Sequence, residues 1–408
     1  MRSWEPTRDA GLRRLDEFLS AAGRYARQRN FDRGPEDRSN VSVLSPYIRH
    51  RLITEKETCE EVLSRYRFGQ VEKFIQEVTW RTYWKGWLEM RPGVWEDWLR
   101  ERDLDLERLS EAGRDSLAKA VSGETGIQCF DQWSRELTED NYLHNHARMW
   151  FASIWIFTLE LPWTLGADFF VQHLLDGDPA SNTLSWKWVA GLQTAGKHYL
   201  ARESNIEKYT EGRFTASGQL RESADPLPFS GHPEPQTPSL PESLEDDPPQ
   251  SSDGLFLTID DLNPESFFED LSVFRIVGGG RPERSRESVR EAEPVAEFRD
   301  QAAGDALERV LSAGAQTIRA LPGSETETVV DWARKGGVKR LWIPYSPIGP
   351  TRDGLRPIIE QLEQNGISTR FYLREWDRSL WPYAKSGFFR FKKGCEKRIQ
   401  DLLEIPIE

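Results

Sequence analysis

Two stretches of the chain set polar and oxidisable side chains at helical spacing. In HNHARM, His144 to Met149, the residues Asn145, Arg148 and Met149 stand at i, i+3 and i+4 and share one face of a helix. DGDPASNTLSWKW, Asp176 to Trp188, begins 27 residues after Met149 and places Asn182 and Trp186 four apart. Guanidinium and carboxylate groups can balance charge, and indole is a readily oxidised side chain. Taken singly, each cluster has an ordinary reading. An Asn and an Arg on one helical face are usually solvated or capping, and Asp-Gly-Asp is usually a polar turn. In this order and at this spacing the ordinary account weakens.

The elements that must position these residues divide the chain into three parts. Residues 1–215 show apolar positions at three- and four-residue spacing, as in DAGLRRLDEFLSAAGRYARQR and EEVLSRYRFGQVEKFIQEVTWRTYWKGWLEM. Residues 216–253 carry Pro226, Pro228, Pro233, Pro235, Pro238, Pro241, Pro248 and Pro249 among many acidic and Ser residues. Such a composition buries little apolar surface and reads as a linker. In residues 254–408 the runs GLFLTIDD, VFRIVGG, TIRAL, RLWIPY and STRFYL alternate with helical segments such as RDGLRPIIEQLEQNG. Strands alternating with helices indicate an α/β layer. The expected fold is multidomain: an all-α domain, then a smaller α/β domain with a largely parallel sheet.

Composition sets further bounds. A net charge of −13 argues against a broad hold on nucleic-acid phosphates while leaving room for a local basic patch. The 16 tryptophans suit either a Trp-rich core or a functional array. Cys59, Cys129 and Cys395 are far apart and form no CxxC pair, so no disulfide framework or metal site is expected. The N-terminal MRSWEPTRDAGL lacks the apolar core of a signal peptide. The most apolar stretch, Met149 to Gly166, contains Glu160 and Pro162 and reads as a buried core helix rather than a membrane span. A cytoplasmic protein is expected. Gly278-Gly279-Gly280 reads as a loop, not a phosphate cradle.

Five motifs in order then resemble the photolyase/cryptochrome family. They are Val41-Ser42-Val43-Leu44-Ser45-Pro46-Tyr47-Ile48, Glu77-Val78-Thr79-Trp80-Arg81, Thr125-Gly126, His144 to Met149, and Asp176 to Trp188. The resemblance implies a helical domain that holds FAD. It places Tyr25, Val41, Ser42, Val43, Leu44, Ser45, Arg81, Asn145, Arg148, Asp176, Asp178 and Asn182 around the cofactor, with Asn182 facing flavin N5. An Asn there is typical of photolyases. The small residues of the first motif could bring backbone N–H groups to the FAD phosphates at a helix start. Arg81 follows Glu77 by four residues, so the ordinary alternative for that pair is a helix-surface ion pair.

The resemblance also implies that Glu77, Trp80, Met149 and Trp188 face a pyrimidine dimer flipped out of damaged DNA. Trp186 and Trp163 match the first two members of an electron relay to the flavin. The implied activity is light-driven repair by electron transfer from reduced FAD; the alternatives are a cryptochrome-type blue-light receptor and a light-independent flavoprotein. A second antenna chromophore is left open.

Three departures accompany the match. No Trp stands near Leu109 and Ser110, where the third relay member would lie, and Trp98, Trp133 and Trp155 are the available substitutes. His146 stands where many photolyases carry an Arg that reaches a DNA phosphate, and residues 1–215 hold 30 Lys and Arg against 34 Asp and Glu. Finally, the family's α/β antenna domain normally comes first, whereas here the α/β segment follows. Its GLFLTIDDLN and GISTRFYLREWDRSLWPYAKSGFFRFKK are vaguely similar to parts of that domain and suggest a swapped order; an unrelated α/β domain is the alternative.

Overall fold

A computed structural model of the chain describes residues 4–194, 196–216, 218–243, 247–282, 289–314 and 325–405. Up to Tyr209 the described regular structure is helical: α1 (Arg8–Ala22), α2 (Tyr25–Gln28), α3 (Ser45–Arg49), α4 (Glu55–Arg65), α5 (Phe68–Glu89), α6 (Gly93–Arg108), α7 (Glu111–Ser122), α8 (Gln128–Asp140), α9 (Asn145–Ser153), α10 (Trp163–His173), α11 (Pro179–Ala190) and α12 (Glu203–Tyr209). Local chemistry sets several of these boundaries. Thr54 and Glu57 form a reciprocal capping box on α4. Asp178 caps α11 through the Ser181 amide, with Pro179 at the first helical position, and Gly191 ends it in the left-handed region.

Met149 to Gly166 is not one helix, contrary to the sequence expectation. α9 ends at Ser153, a π-helical turn covers Ile154–Thr158, and α10 starts only at Trp163. Pro162 has no N–H to donate and holds Leu161 out of helical geometry, so the chain breaks there and restarts. Among the described residues no helix is long and apolar enough to cross a membrane.

Residues 218–243 and 247–252 contain no helix or strand, yet they lie against the helices. Leu227 N–H donates to Ala190 O at 3.0 Å, Gln236 N–H to Met90 O at 2.9 Å, and Arg91 Nε to Pro233 O at 3.0 Å. The α/β part follows as β1 (Asp253–Leu257), β2 (Ile276–Gly279), α13 (Glu293–Ser312), α14 (Thr326–Lys335), β3 (Arg340–Pro344), α15 (Pro350–Gln364), β4 (Ser368–Tyr372), α16 (Glu375–Leu380) and α17 (Phe388–Leu402). The sheet is all parallel, in the order β2-β1-β3-β4. Gly278 and Gly279 belong to β2, paired with Phe256 and Leu257, so they are strand and not the expected loop. The run TIRAL lies outside the described residues.

Both faces of the sheet are buried, as parallel sheets require. Phe256, Leu341 and Ile343 pack under α14 and α15 with Val329, Trp332, Leu355 and Ile358. Their strand neighbours Leu255, Leu257 and Trp342 point the other way, into an apolar cluster that continues through Leu44, Tyr83, Trp87 and Trp186 of the helical part. α16 and α17 join that cluster through Trp376, Leu380, Phe388 and Phe391.

Candidate functional site

The sequence-derived set converges on one cavity of about 490 Å³, within the usual range for small-molecule sites. Tyr25, Val41, Ser42, Val43, Leu44, Ser45, Glu77, Trp80, Arg81, Asn145, Arg148, Met149, Asp176, Asp178, Asn182, Trp186 and Trp188 all line it. Trp163 does not. α5, α9 and α11 supply three walls, and the turn from Val41 to Ser45 supplies a fourth.

That turn is held open at an energetic cost. Val43 has φ +54°, a conformation that a β-branched residue rarely adopts, and Arg14 Nε pins the turn by donating to Ser42 O at 2.9 Å. α3 starts there but has only five residues, so the turn offers its first N–H groups rather than a long helix dipole.

Charge inside the cavity is organised in two layers. Arg148 donates from Nη2 to Asp176 Oδ2 at 2.9 Å and from Nε to Leu143 O at 2.8 Å. Burial raises the Asp176 pKa, but Arg148 outweighs it and holds the carboxyl below the usual range. Asp178 has a different task. Its Oδ1 accepts from Ser181 N at 2.7 Å, while Oδ2 lies 3.9 Å from Arg49 Nε and 4.0 Å from Lys85 Nζ. Burial opposes ionisation, yet Lys85, Arg49 and Arg81 bring its pKa down to about 2. Asn182 donates from Nδ2 to Ala167 O at 2.7 Å, which fixes its amide plane.

Glu77 pairs with Arg29 at 3.1 Å and Lys73 at 3.3 Å, both outside its own four-residue step to Arg81. The Glu77–Arg81 pair that the spacing allowed is therefore replaced, in part by another helix-surface pair of the same four-residue spacing, Lys73 to Glu77. Among the described residues Arg81 Nη1 is buried without a hydrogen-bond partner, as are His144 Nε2, Asp176 Oδ1 and Ser181 Oγ. Each of these residues lines the cavity. Unpaired buried atoms occur elsewhere among the described residues as well; what sets these four apart is that they border one cavity, where together they suit a polar ligand. His144 makes the point sharply. Its Nδ1 accepts from His146 N at 3.1 Å, so in the neutral ring the proton sits on Nε2, a buried donor with no partner. FAD, with its phosphates, ribityl hydroxyls and ring carbonyls, fits this mixed donor and acceptor set.

Sequence reasoning missed Arg29, Tyr142, His144 and Phe389 as lining residues. Arg29 follows Tyr25 by four residues in YARQRNF, a spacing that could have flagged it. Phe389 belongs to α17, more than 190 residues beyond the last motif, and no local signal connects it to the cavity.

The aromatic surroundings also differ from expectation. Phe388 stacks on Trp80 with ring centroids 3.6 Å apart and planes 8° apart, leaving at most the opposite face of that indole for another ring. Trp188 stacks on Tyr199. Trp186 has its indole neighbour in Trp155, at 6.1 Å and nearly perpendicular, while Trp163 lies under Lys187 Nζ at 5.3 Å. Gly166 permits the Trp186–Trp155 approach, because a Cβ there would sit 2.3 Å from the Trp186 ring. His146 stacks on Trp150 and contacts Asn30 O at 3.0 Å through Nδ1, so it is held inside the fold.

Residues 74–215 match the family model "FAD binding domain of DNA photolyase". A deoxyribodipyrimidine photo-lyase of Streptomyces griseus is 34% identical over 155 residues, 38% of this chain and 33% of that protein. A cryptochrome DASH of Natronomonas pharaonis is 26% identical over 218 residues, 50% of this chain and 44% of that protein. Among solved structures, a class III photolyase from Agrobacterium tumefaciens overlaps 51% of this chain and 43% of its own, at 25% identity and a TM-score of 0.42. The chain thus spans less than half the length of the relatives it matches. Through its helical part the chain is similar to the photolyase/cryptochrome family, and the similarity is concentrated in that family's FAD-binding domain.

Proposed function

We propose that the protein is a light-driven, FAD-dependent lyase acting on pyrimidine dimers in DNA. The observation that carries this reading is one cavity in which ligand-facing polar atoms and a second, partly exposed set meet. Arg81, His144, Asp176 and Ser181 offer unpartnered polar atoms, and Trp80, Trp188, Met149 and Glu77 are only half-buried beside them.

FAD, when bound, supplies the electron on excitation. The chain's own residues bind and orient. Arg148, fixed by Asp176 and Leu143 O, presents a positive charge toward the cavity, and Asn182 is locked by Ala167 O. Trp188 supplies a flat surface for extruded bases, beside the half-buried Trp80 that already stacks on Phe388. Arg29 and Lys73 hold Glu77 in position as an acceptor for base N–H groups. The Trp186–Trp155 contact offers a start for an electron path from the protein body, alongside the Trp186–Trp163 step that the resemblance implies.

The test is repair of an oligonucleotide carrying one thymine dimer under blue light, with dark and FAD-free controls. Light-dependent return of the two thymines supports the reading; none, from FAD-loaded protein, removes it. A blue-light receptor without repair is the second reading. The stack of Phe388 on Trp80, which narrows the lesion side of the cavity, favours it.

A further inference from the structure

We propose that α17 is part of the DNA-binding surface, with Phe389 as an apolar wedge at the cavity mouth and Lys393 and Lys397 as phosphate contacts behind it. The inference rests on the repair reading above and names how the strand is held.

The helix has two opposed faces. Phe388, Phe391, Cys395 and Ile399 are buried, with Phe388 locked between Trp80 and Phe391. This seats the helix firmly on α5, so it is a fixed wall and not a lid. The other face begins with Phe389, which lines the cavity yet is 77% exposed, the highest value among the exposed large apolar side chains described. A single exposed apolar residue is ordinary on any protein surface. Its place is what matters here: an aromatic ring stands in solvent at the mouth of a cavity whose neighbouring wall already holds Trp80.

Charge points the same way. α17 carries five Lys and Arg (Arg390, Lys392, Lys393, Lys397, Arg398) against Glu396 and Asp401, a surplus of three on a chain of net charge −13. Lys392 is held by Glu72 and Arg398 by Glu375. Arg390, Lys393 and Lys397 make no ion pair among the described residues. Phe389, Lys393 and Lys397 stand at i, i+4 and i+8 on one stripe, so the two lysines follow Phe389 at about 6 and 12 Å of backbone rise along the helix axis. An aromatic tip followed by a row of uncommitted cations complements a polyanion with an open base step. A flipped dimer leaves such a step, and proteins that kink or open duplexes commonly fill it with an apolar side chain.

The experiment uses the full chain loaded with FAD and fluorescence polarisation on two duplexes, one with a thymine dimer and one undamaged, at several salt concentrations. 2-Aminopurine opposite the dimer reports extrusion. Phe389→Ala should weaken binding to the dimer duplex about tenfold, the size of one lost stack, and reduce the 2-aminopurine signal. Phe389→Tyr keeps the ring and should retain both. Lys393→Gln/Lys397→Gln should weaken both duplexes alike and lower the slope of log affinity against log salt by about 1.8, from two lost phosphate contacts. Dimer preference in the wild type with unchanged binding in all variants overturns the role of α17 and leaves the repair reading standing. Equal wild-type affinity for the two duplexes overturns the repair reading, and this inference with it. Unchanged FAD absorbance in each variant shows that the cavity itself is intact.

Discussion

Two regions of the molecule bury charge, and they differ in what the charged groups face. Where the sheet meets the helices, cations and carboxylates find each other across the chain. Arg49 donates to Asp260 at 2.7 Å, Arg374 to Asp261 at 2.6 and 2.8 Å, and Arg51 to Asp377. Glu89 accepts from Tyr345 Oη and Ile348 N at 2.7 Å and from Arg352 at 3.0 Å. Burial works against the Arg49 charge, but Asp260 and Asp178 outweigh it and raise its pKa. In the cavity wall, a few residues away, Arg81 Nη1, His144 Nε2 and Asp176 Oδ1 have no hydrogen-bond partner among the described residues; Arg51 Nε and Asp377 Oδ1 in the paired region lack one too, but those two residues do not line the cavity. The first pattern fixes one part of the chain on another. The second leaves bonding capacity for something else, and burial alone would not distinguish them.

Breaking the paired region should have the largest effect. Asp261→Ala leaves Arg374 buried without its carboxylate and should lower unfolding free energy by about 3–5 kcal/mol, read as an earlier denaturant midpoint. A midpoint within error of wild type would show that the contact is idle.

In the unpaired wall, stability should depend on pH through His144. Burial pushes its pKa down to about 4 from an ordinary value near 6.5. A depressed folded-state pKa means that its contribution is complete above pH 6.5 and is lost as the pH falls through 4. Nearby Glu136 behaves oppositely: burial raises it to about 7, so its contribution is complete below 4.5 and lost as the pH rises through 7. Comparing wild type with His144→Asn, which keeps a capping acceptor, isolates the first term. The variant's profile should be flatter between pH 6.5 and 4, by no more than about 3 kcal/mol at the acid end. Parallel profiles would mean that the imidazole is solvated.

Arg81→Gln sharpens the contrast between regions. It should lower the stability of FAD-free protein by less than Asp261→Ala does, because Lys85 and Arg49 still face Asp178, yet weaken FAD by about 1.5–3 kcal/mol, roughly ten- to a hundredfold. Loss of stability with unchanged FAD affinity would move Arg81 to the structural class. Gly166→Ala should cost about 1–3 kcal/mol by driving a methyl into the Trp186 ring. Both it and Trp186→Phe should slow flavin photoreduction, and Trp155→Phe should do so more than Trp163→Phe.

The sequence made the cavity legible because its residues recur at helical spacing within single elements. Asn145, Arg148 and Met149 share α9, Asn182 and Trp186 share α11, and Glu77, Trp80 and Arg81 share α5. The helical part and the parallel sheet were legible through periodicity, and β1, β2, β3 and β4 fall on the apolar runs. What could not be read depends on contacts between distant elements. Phe388 on Trp80, Trp155 beside Trp186, and Arg29 on Glu77 are tertiary facts with no local signature. The break between α9 and α10 was visible in Pro162, but the surrounding apolar run masked it.

The claim beneath all of this is that the unpartnered wall holds FAD. Titrating FAD-free protein with FAD, followed by flavin absorbance and fluorescence, should give about one tightly bound FAD per chain, with Arg81→Gln shifted to weaker binding. A wild-type protein that stays colourless and leaves added FAD free in solution would contradict it.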